Sequence, residues 1–388
     1  MRRARRRAAA AVLVGAVCVA LVACTPAPSG PGVAVLFPGG PDDAWGASAD
    51  VIRAELARDG HAVEVRHAGD DIPTQLGQLQ DAYAAAPAAI VVAPVDVTAL
   101  AAELVVHDDP DVTVISYGSL ILDAPEVDVF ASFDHREVGR QQARALLAGL
   151  GLTNAVTDAR AGHAVELLAG SSDDPAARAA HEGVLDVLTS YLDTGALLVP
   201  SGRVAFAQAA ILRGAPDIAA ERVTDLLAEG VPLAGVLAPS DAMSRSVGDA
   251  IVAHGWSIAL PPDAAPPTPA PEQSAHPTAT PTSAPPESAA TEPVPPVPTV
   301  PPDVVLVGGG TSLAGVEAVA EGTRTATAYR DPARLARTVA HMVREILRGS
   351  APTVTRGVLS DNGAVELPTR LVVPLLVATQ ESALALVS

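Results

Sequence analysis

Short apolar runs that alternate with amphipathic stretches constrain the fold of this chain more than any other feature. The pattern occurs twice, before and after a central stretch from Asp111 to Leu150. That stretch predicts two strands, Val112 to Ser116 and Val127 to Ser132, and then a helix whose first residues, Asp134 and Glu137, form a capping-box pattern. Strands that alternate with helices at this spacing indicate parallel sheets covered on both faces. The predicted fold class is therefore α/β, with two lobes.

Each lobe is predicted to contain its own series of buried strands. In the first lobe they are Gly32 to Phe37, Ala62 to Arg66 and Ile90 to Ala93, followed by the central stretch. In the second lobe they are Val165 to Ala169, Ala196 to Val199, Gly235 to Ala238 and Val304 to Val307.

The amino terminus has the layout of an export signal. Five arginines precede a continuously apolar run from Ala8 to Val22, which is too short to span a bilayer, where about 20 residues are needed. The run ends in Leu21-Val22-Ala23-Cys24, which resembles the lipobox of bacterial lipoproteins. We expect residues 1–23 to be a signal peptide, Cys24 to be lipidated, and residues 24–31 to be a tether. The alternative is an uncleaved anchor with an incidental cysteine.

A proline-rich segment interrupts the second lobe. Residues 261–302 hold 16 of the 35 prolines and show no apolar period. Proline removes backbone donors, so neither a helix nor a sheet is expected there. The sequence predicts a disordered insertion between a helix and a strand of one lobe.

Composition and motifs exclude several functions. The formal net charge of −19 opposes binding to nucleic acid through surface electrostatics. Both cysteines, Cys18 and Cys24, lie in the first 24 residues, so the folded part has no thiol nucleophile or disulfide. The histidines lack ligand spacing, Gly308-Gly309-Gly310 lacks a Walker lysine, and no G-x-S-x-G elbow occurs. We expect no enzyme activity, no cofactor and no metal.

The central stretch resembles a known family. Its residues V-I-S-Y and D-V-F-A-S-F-D-H-R-E-V-G-R-Q-Q-A-R-A-L are similar to the first crossover of type I periplasmic solute-binding proteins of ABC importers, most of all the xylose-binding and related sugar-binding branch. The similarity extends, with gaps, from about Gly32 to about Val373, and Tyr329-Arg330-Asp331-Pro332 matches the second crossover. It implies two Rossmann-like lobes joined by a three-crossover hinge.

The resemblance also implies domain boundaries. The amino-terminal lobe would comprise residues 32–131 and 330–364, and the carboxyl-terminal lobe residues 132–329 and 365–388. Hinge closure around a ligand is the usual motion of such proteins.

The candidate ligand-binding residues follow from the fold and from this resemblance. Ligands of open α/β sheets sit beyond the carboxyl ends of the strands, which predicts a site in the cleft between the lobes. Trp45 and Tyr117 match aromatic positions of the family, Asp241 matches an acid after a strand, and Arg330 stands where the family carries a lysine. Two alternatives stay open: Trp45 could be a core residue at a helix start, and Asp241 could cap its helix.

Several positions depart from the sugar-binding pattern. An Asp-Arg pair is replaced by Gly118-Ser119, an asparagine by Ser240 and an aspartate by Gly310. Further along the pattern, an amide and an arginine become Pro175 and His181, and an arginine near Ala49 is absent. These departures weaken the inference of a pentose ligand but not that of the fold.

The first functional hypothesis is a lipid-anchored solute-binding protein on the extracytoplasmic face of the cell membrane. It would be a monomer that delivers a small polar, sugar-like ligand to an ABC permease. The second is a non-transporting ligand sensor, or an envelope interaction lipoprotein, on the same fold with a diverged pocket. A transcriptional regulator is opposed by the export signal and by the lack of a helix-turn-helix.

Overall fold

A computed structural model describes residues 32–107, 109–261 and 303–388, which form two compact units. Unit 1 extends to Ser132 and includes Ala333–Arg370; unit 2 comprises Phe133–Pro332 and Leu371–Ser388. The predicted signal peptide, Cys24, the tether and all of the proline-rich segment except Pro261 lie outside the described residues. Among the described residues, no helix is both long enough and apolar enough to cross a membrane.

The strands are named in chain order. They are β1 Val33–Phe37, β2 Val63–His67, β3 Ala89–Val92, β4 Thr113–Tyr117, β5 Val129–Phe133, β6 His163–Leu167, β7 Leu197–Leu198, β8 Leu233–Leu237, β9 Val305–Gly310, β10 Ala326–Tyr329, β11 Leu359–Asp361, β12 Glu366–Val372 and β13 Leu375–Val377.

The helices are named in the same way. They are α1 Ala44–Ala57, α2 Ile72–Ala84, α3 Ala101–Val106, α4 His135–Gly149, α5 Pro175–Asp193, α6 Phe206–Ala209, α7 Pro216–Ala228, α8 Asp241–Ala253, α9 Leu313–Ala320, α10 Pro332–Leu347 and α11 Gln380–Val387, with a 3-10 turn at Leu212–Gly214.

The first sheet has the strand order β2-β1-β3-β4-β5-β12-β11. Its first five strands are parallel, and β11 and β12 pair antiparallel. The order reverses between β1 and β3, and in sheets of this kind ligands bind beyond the carboxyl ends of the strands at such a switch point.

The sheet of unit 2 repeats this arrangement. Its strand order is β7-β6-β8-β9-β10-β13, parallel apart from the antiparallel β13. The switch point lies between β6 and β8. Both sheets therefore have a doubly wound, Rossmann-like core, and the predicted fold class is confirmed.

Two helices of unit 2 pack unusually closely. A Cβ atom at Gly139 of α4 would overlap the carbonyl of Ala180, and one at Gly183 of α5 would overlap the carbonyl of Arg136. Arg136 reinforces the contact, because its guanidinium donates to Asp186 at 2.6 and 2.7 Å. Arg140 also donates to Asp186, at 2.8 and 3.0 Å, so two arginines of α4 form an interhelical ion-pair network with this carboxylate.

The strands and helices predicted from the sequence agree with the structure up to β9, and several elements after β9 were not predicted. The predicted cap of α4 is confirmed, since the Asp134 carboxylate accepts from the Glu137 amide at 2.9 Å. The second half of the capping box does not form: the Glu137 carboxylate instead accepts from Arg144 at 2.8 Å. Strands β10, β11, β12 and β13 and helix α11 were not predicted, because they lack a clear apolar period and most of them are short.

Candidate functional site

An aromatic cluster lies at the carboxyl end of β1 in unit 1. Phe37, the last residue of β1, is fully buried, and its ring centroid is 5.3 Å from that of Trp45 and 5.1 Å from that of Tyr117. Trp45 and Tyr117 meet edge to face at 6.2 Å. His67, at the end of β2, completes the cluster at 6.5 Å from Phe37. The structure therefore brings together both aromatic residues that the sequence singled out.

Trp45 is held by the amino-terminal cap of α1. The Asp43 carboxylate accepts from the Trp45 amide at 2.7 Å and from the Gly40 amide at 2.8 Å. This fixes the loop between β1 and α1 around the indole. Trp45 remains partly exposed, whereas Tyr117 is only 3% exposed. Trp45 can present a ring face to a ligand, and Tyr117 supports that ring from the side.

The loop after β4 explains the loss of the family's Asp-Arg pair. Gly118 has φ of 76°, a backbone conformation that favours glycine. The Ser119 amide donates to the Tyr117 carbonyl at 2.8 Å, and the Ser132 hydroxyl donates to the Gly118 carbonyl at 2.7 Å. Hydrogen bonds to backbone carbonyls hold this turn. Gly118 and Ser119 carry no charged group in place of the family's Asp-Arg pair.

Asp241 is the first residue of α8 in unit 2, and it does not cap the helix. Ser240 is the cap, because its hydroxyl accepts from the Met243 amide at 3.2 Å. The Asp241 carboxylate accepts from the Arg324 guanidinium at 2.8 Å and from the Ser312 amide at 3.2 Å. The capping alternative for Asp241 is therefore wrong, and its carboxylate is already engaged within unit 2.

Two glycines leave room for this carboxylate. A Cβ atom at Gly310, at the end of β9, would overlap a carboxylate oxygen of Asp241, and so would one at Gly315 of α9. The aspartate that the family carries at the position of Gly310 would not fit beside Asp241 as it is placed here. The glycine at position 310 thus leaves the space that the Asp241 carboxylate occupies in its ion pair with Arg324.

Arg330 follows β10 directly. Its amide donates to the Gly310 carbonyl at 2.8 Å, which fixes the backbone at the carboxyl edge of the sheet. Its Nε atom is buried and has no hydrogen-bond acceptor among the described residues. Burial lowers the pKa of Arg330 from its usual value, but a guanidinium with a reference pKa above about 12 stays charged at neutral pH.

His135, the first residue of α4, lies close to this guanidinium. Burial and the positive charge of Arg330 lower the pKa of His135 to about 4. The imidazole is therefore neutral at pH 7, and Arg330 dominates the local charge.

These residues line a cavity of about 260 Å³ at the β6–β8 switch point, which we call the unit 2 cavity. Its polar lining comes from α4, from the segments just before α5, α7 and α8, and from the residue after β10: His135, Gln142, Ser171, Asp174, Arg213, Ser240 and Arg330. Gln142 is 2% exposed and donates to the Gly308 carbonyl at 3.1 Å. Asp241 does not line the cavity.

The remaining departures have structural roles. His181 is 4% exposed, and its Nε2 donates to the Val204 carbonyl at 2.8 Å, so it supports the loop before α6. Pro175 is the first residue of α5, a favoured position for proline. Ala49 is 1% exposed on the inner face of α1, where a longer side chain has no room.

Sequence reasoning missed three residues of unit 2. Arg324, Gln142 and Arg213 carry no motif: Arg324 pairs with Asp241, and Gln142 and Arg213 line the cavity from α4 and from the turn before α7. No group of three or more potential metal ligands occurs among the residues that the structure describes.

Comparison with known proteins gives a consistent result. The model of a family described as "Periplasmic binding protein domain" matches residues 33–259. A multiple sugar-binding periplasmic receptor of Rhizobium radiobacter is 26% identical over 336 residues, which cover 86% of this chain and 82% of the relative. The D-xylose-binding periplasmic protein of Escherichia coli is 23% identical over 331 residues, covering 85% and 82%.

Solved structures show the same fold. An ABC transporter solute-binding protein from Clostridium phytofermentans with bound β-D-glucose superposes with a TM-score of 0.68 at 23% identity, covering 92% of this chain and 96% of that one. A carbohydrate transporter solute-binding protein from Chloroflexus aurantiacus in complex with D-glucose gives 0.65 at 19% identity, covering 91% and 94%. The predicted resemblance is confirmed, and so is the expectation of a binding protein rather than an enzyme, since these relatives are receptors.

Proposed function

We propose that this chain, which belongs to the type I periplasmic binding protein family, is an extracytoplasmic receptor for a monosaccharide. The observation that carries the proposal is the partly exposed Trp45 ring, held against Phe37 at the carboxyl end of β1. An aromatic face suits the C–H surface of a sugar ring. Relatives that cover most of the chain are named as sugar-binding proteins.

In this proposal Trp45 stacks on the sugar, and Tyr117 holds the indole in place. Arg330 donates to oxygen atoms of the ligand, because its buried Nε has no acceptor among the described residues. Asp241 acts indirectly: it is paired with Arg324, so it shapes the end of β9 rather than bonding to a hydroxyl.

We further propose that the receptor is a lipid-anchored monomer that delivers its ligand to an ABC permease. The lipobox-like sequence ending at Cys24 supports the anchor. The description of similar structures as ABC transporter solute-binding proteins supports the permease.

Calorimetric titration of residues 25–388, the chain without its predicted signal peptide and anchor cysteine, with aldopentoses and aldohexoses tests the proposal. We expect at least one monosaccharide to bind in the micromolar range. Xylose should bind weakly or not at all, because Gly118, Ser119 and Gly310 cannot supply the carboxylates and the guanidinium that the family pattern carries there, and each unpaired buried polar group costs about 1–3 kcal/mol. Absence of binding across this panel and across the corresponding uronic acids would contradict the receptor function, and tight xylose binding would show that the pocket residues are misassigned.

A further inference from the structure

The unit 2 cavity is built to hold negative charge. Three of its walls are the amino-terminal ends of long helices: α4 with 15 residues, α5 with 19 and α8 with 13. The partial positive charge of a helix dipole lies at this end, so the three helices add their effects in one cavity.

A guanidinium lies at the same place. Arg330 lines the cavity, its Nε is buried without an acceptor, and it forms no ion pair among the described residues. Its backbone amide donates to the Gly310 carbonyl at 2.8 Å, which holds the backbone of Arg330 at the carboxyl edge of the sheet.

The nearby carboxylates of Asp241 and Asp174 attract the Arg330 guanidinium, but the hydrogen bonds that the structure shows for both of them go to other groups. Asp241 is committed to Arg324 and to the Ser312 amide. Asp174 accepts from the Ala176 amide at 2.8 Å as the cap of α5. The charged groups that line the cavity are then two guanidiniums, Arg213 and Arg330, against the one carboxylate of Asp174.

A neutral sugar would leave this excess uncompensated. Its hydroxyls can accept from a guanidinium, but they bring no charge into a partly buried site. A carboxylate is planar and matches the fork of an arginine with two parallel hydrogen bonds. A volume of about 260 Å³ also exceeds by several-fold the ~30 Å³ that one water occupies in the liquid, so it has room for a carboxylate and the adjoining edge of a ring.

We infer that the ligand is an acidic monosaccharide, of the uronic acid class, whose carboxylate binds Arg330 in the unit 2 cavity. The inference rests on the proposed sugar-receptor function and specifies its ligand class.

Matched sugar pairs test it. Calorimetry at pH 7 compares D-glucuronate with D-glucose, and D-galacturonate with D-galactose. We expect the acid of at least one pair to bind ten-fold or more tightly than its neutral partner. In R330Q that preference should disappear, mainly through a loss of thirty-fold or more in affinity for the acid, while R330K should recover part of it. R245Q, an exposed arginine of α8 outside the cavity, is the control and should keep the wild-type preference.

The outcomes separate the two claims. If neutral sugars bind as tightly as acids in the wild-type chain, the inference is overturned and the receptor function stands. If the acid preference survives in R330Q, Arg330 is not the carboxylate partner and the inference is likewise overturned. If none of the four sugars binds, the proposed receptor function fails with it.

Discussion

The carboxylate of Asp241 accepts a hydrogen bond from the guanidinium of Arg324 at 2.8 Å, and both side chains are largely buried, at 15% and 3% exposure. This ion pair ties the start of α8 to the strand pair β9–β10. It also engages the carboxylate of a residue that the sequence predicts to bind ligand. For Arg330, the other predicted charged group of unit 2, the buried Nε has no hydrogen-bond acceptor among the described residues.

Removal of one partner of this pair should destabilise unit 2 strongly. D241A leaves the Arg324 guanidinium buried without its counter-charge, which costs about 3–5 kcal/mol in comparable cases. Urea unfolding measures the loss. The control is D50A, which breaks an exposed pair with Arg53 and should cost about 0–1 kcal/mol. Equal losses in the two variants would contradict a structural role for Asp241.

The neighbouring glycine gives a coupled prediction. G310A places a methyl group against the Asp241 carboxylate and should cost about 1–3 kcal/mol by overpacking. In D241A/G310A the clash is gone, so the double variant should be more stable than the sum of the single losses implies. Strict additivity in this double-mutant cycle would show that the two positions do not share space.

Glu166 predicts a pH dependence of stability. It lies in β6 with no exposed surface, and neither carboxylate oxygen has a hydrogen-bond partner among the described residues. Burial raises the pKa of Glu166 above its ordinary value of 4.5, against the opposing effects of the nearby Ser201 side chain and of the positive charges of Arg203 and Arg222. The folded state therefore holds this proton more tightly than the unfolded state, and the contribution to stability falls as the pH rises from about 4.5 through the raised pKa.

E166Q should remove this dependence, because glutamine is neutral at every pH. We expect the stability of E166Q relative to the wild type to increase between pH 4 and pH 8, as measured by urea unfolding. E229Q, at an exposed position after α7, is the control and should track the wild type. A relative stability that falls towards pH 8 would show that the charged carboxylate is favourably paired with the arginines.

Deletion of the proline-rich segment should be tolerated. Its flanks are fixed independently, since the Ala259 amide donates to the Val304 carbonyl at 2.9 Å and the Val304 amide to the Ser257 carbonyl at 2.8 Å. Loop length itself costs little, about 0.6 kcal/mol per doubling. We expect a chain with residues 262–302 replaced by a short Gly/Ser turn to keep its melting temperature within a few degrees.

The control for this deletion is V304A, which removes methyl groups from a fully buried flank. It should lower the melting temperature more than the whole deletion does. The opposite ranking would show that the segment packs against unit 2.

The lipobox-like sequence predicts a covalent anchor. C24A should leave an unprocessed precursor or release the protein from the membrane fraction, and it should abolish incorporation of labelled fatty acid. C18A, which changes the only other cysteine, should behave as the wild type. Unchanged processing and fractionation in C24A would remove the lipoprotein hypothesis.

The sequence predicted the sheets well because their strands are continuous apolar runs, such as Val33–Phe37 and Ala89–Val92, which the structure buries completely. It predicted the cap of α4 because Asp134 is a favourable residue just before an amphipathic run. It did not settle the cap of α8: Asp241 was a candidate, and the structure places Ser240 there. It named Trp45 and Tyr117 separately, from the family's aromatic positions, and the structure places their ring centroids 6.2 Å apart.

The sequence could not predict the ion pair of unit 2. Arg324 is separated from Asp241 by the whole proline-rich segment, and nothing local distinguishes it from other arginines. The sequence also could not explain why position 310 is a glycine. The Asp241 carboxylate, which is distant in sequence, occupies the space that a side chain at this position would need. The predicted strand ended at Val307, because glycines have weak strand propensity. In the structure β9 extends to Gly310, and the glycine there permits the close approach of the Asp241 carboxylate.

Tryptophan fluorescence tests the central claim, that Trp45 contacts a sugar ligand. The chain has only two tryptophans, and Trp256 packs against the core of unit 2. The account predicts that ligand changes the emission of W256F, in which Trp45 alone reports, and leaves the emission of W45F unchanged, while W45A lowers the affinity about ten-fold, or 1.4 kcal/mol. A ligand response that persists in W45F and is lost in W256F, with wild-type affinity in W45A, would contradict it.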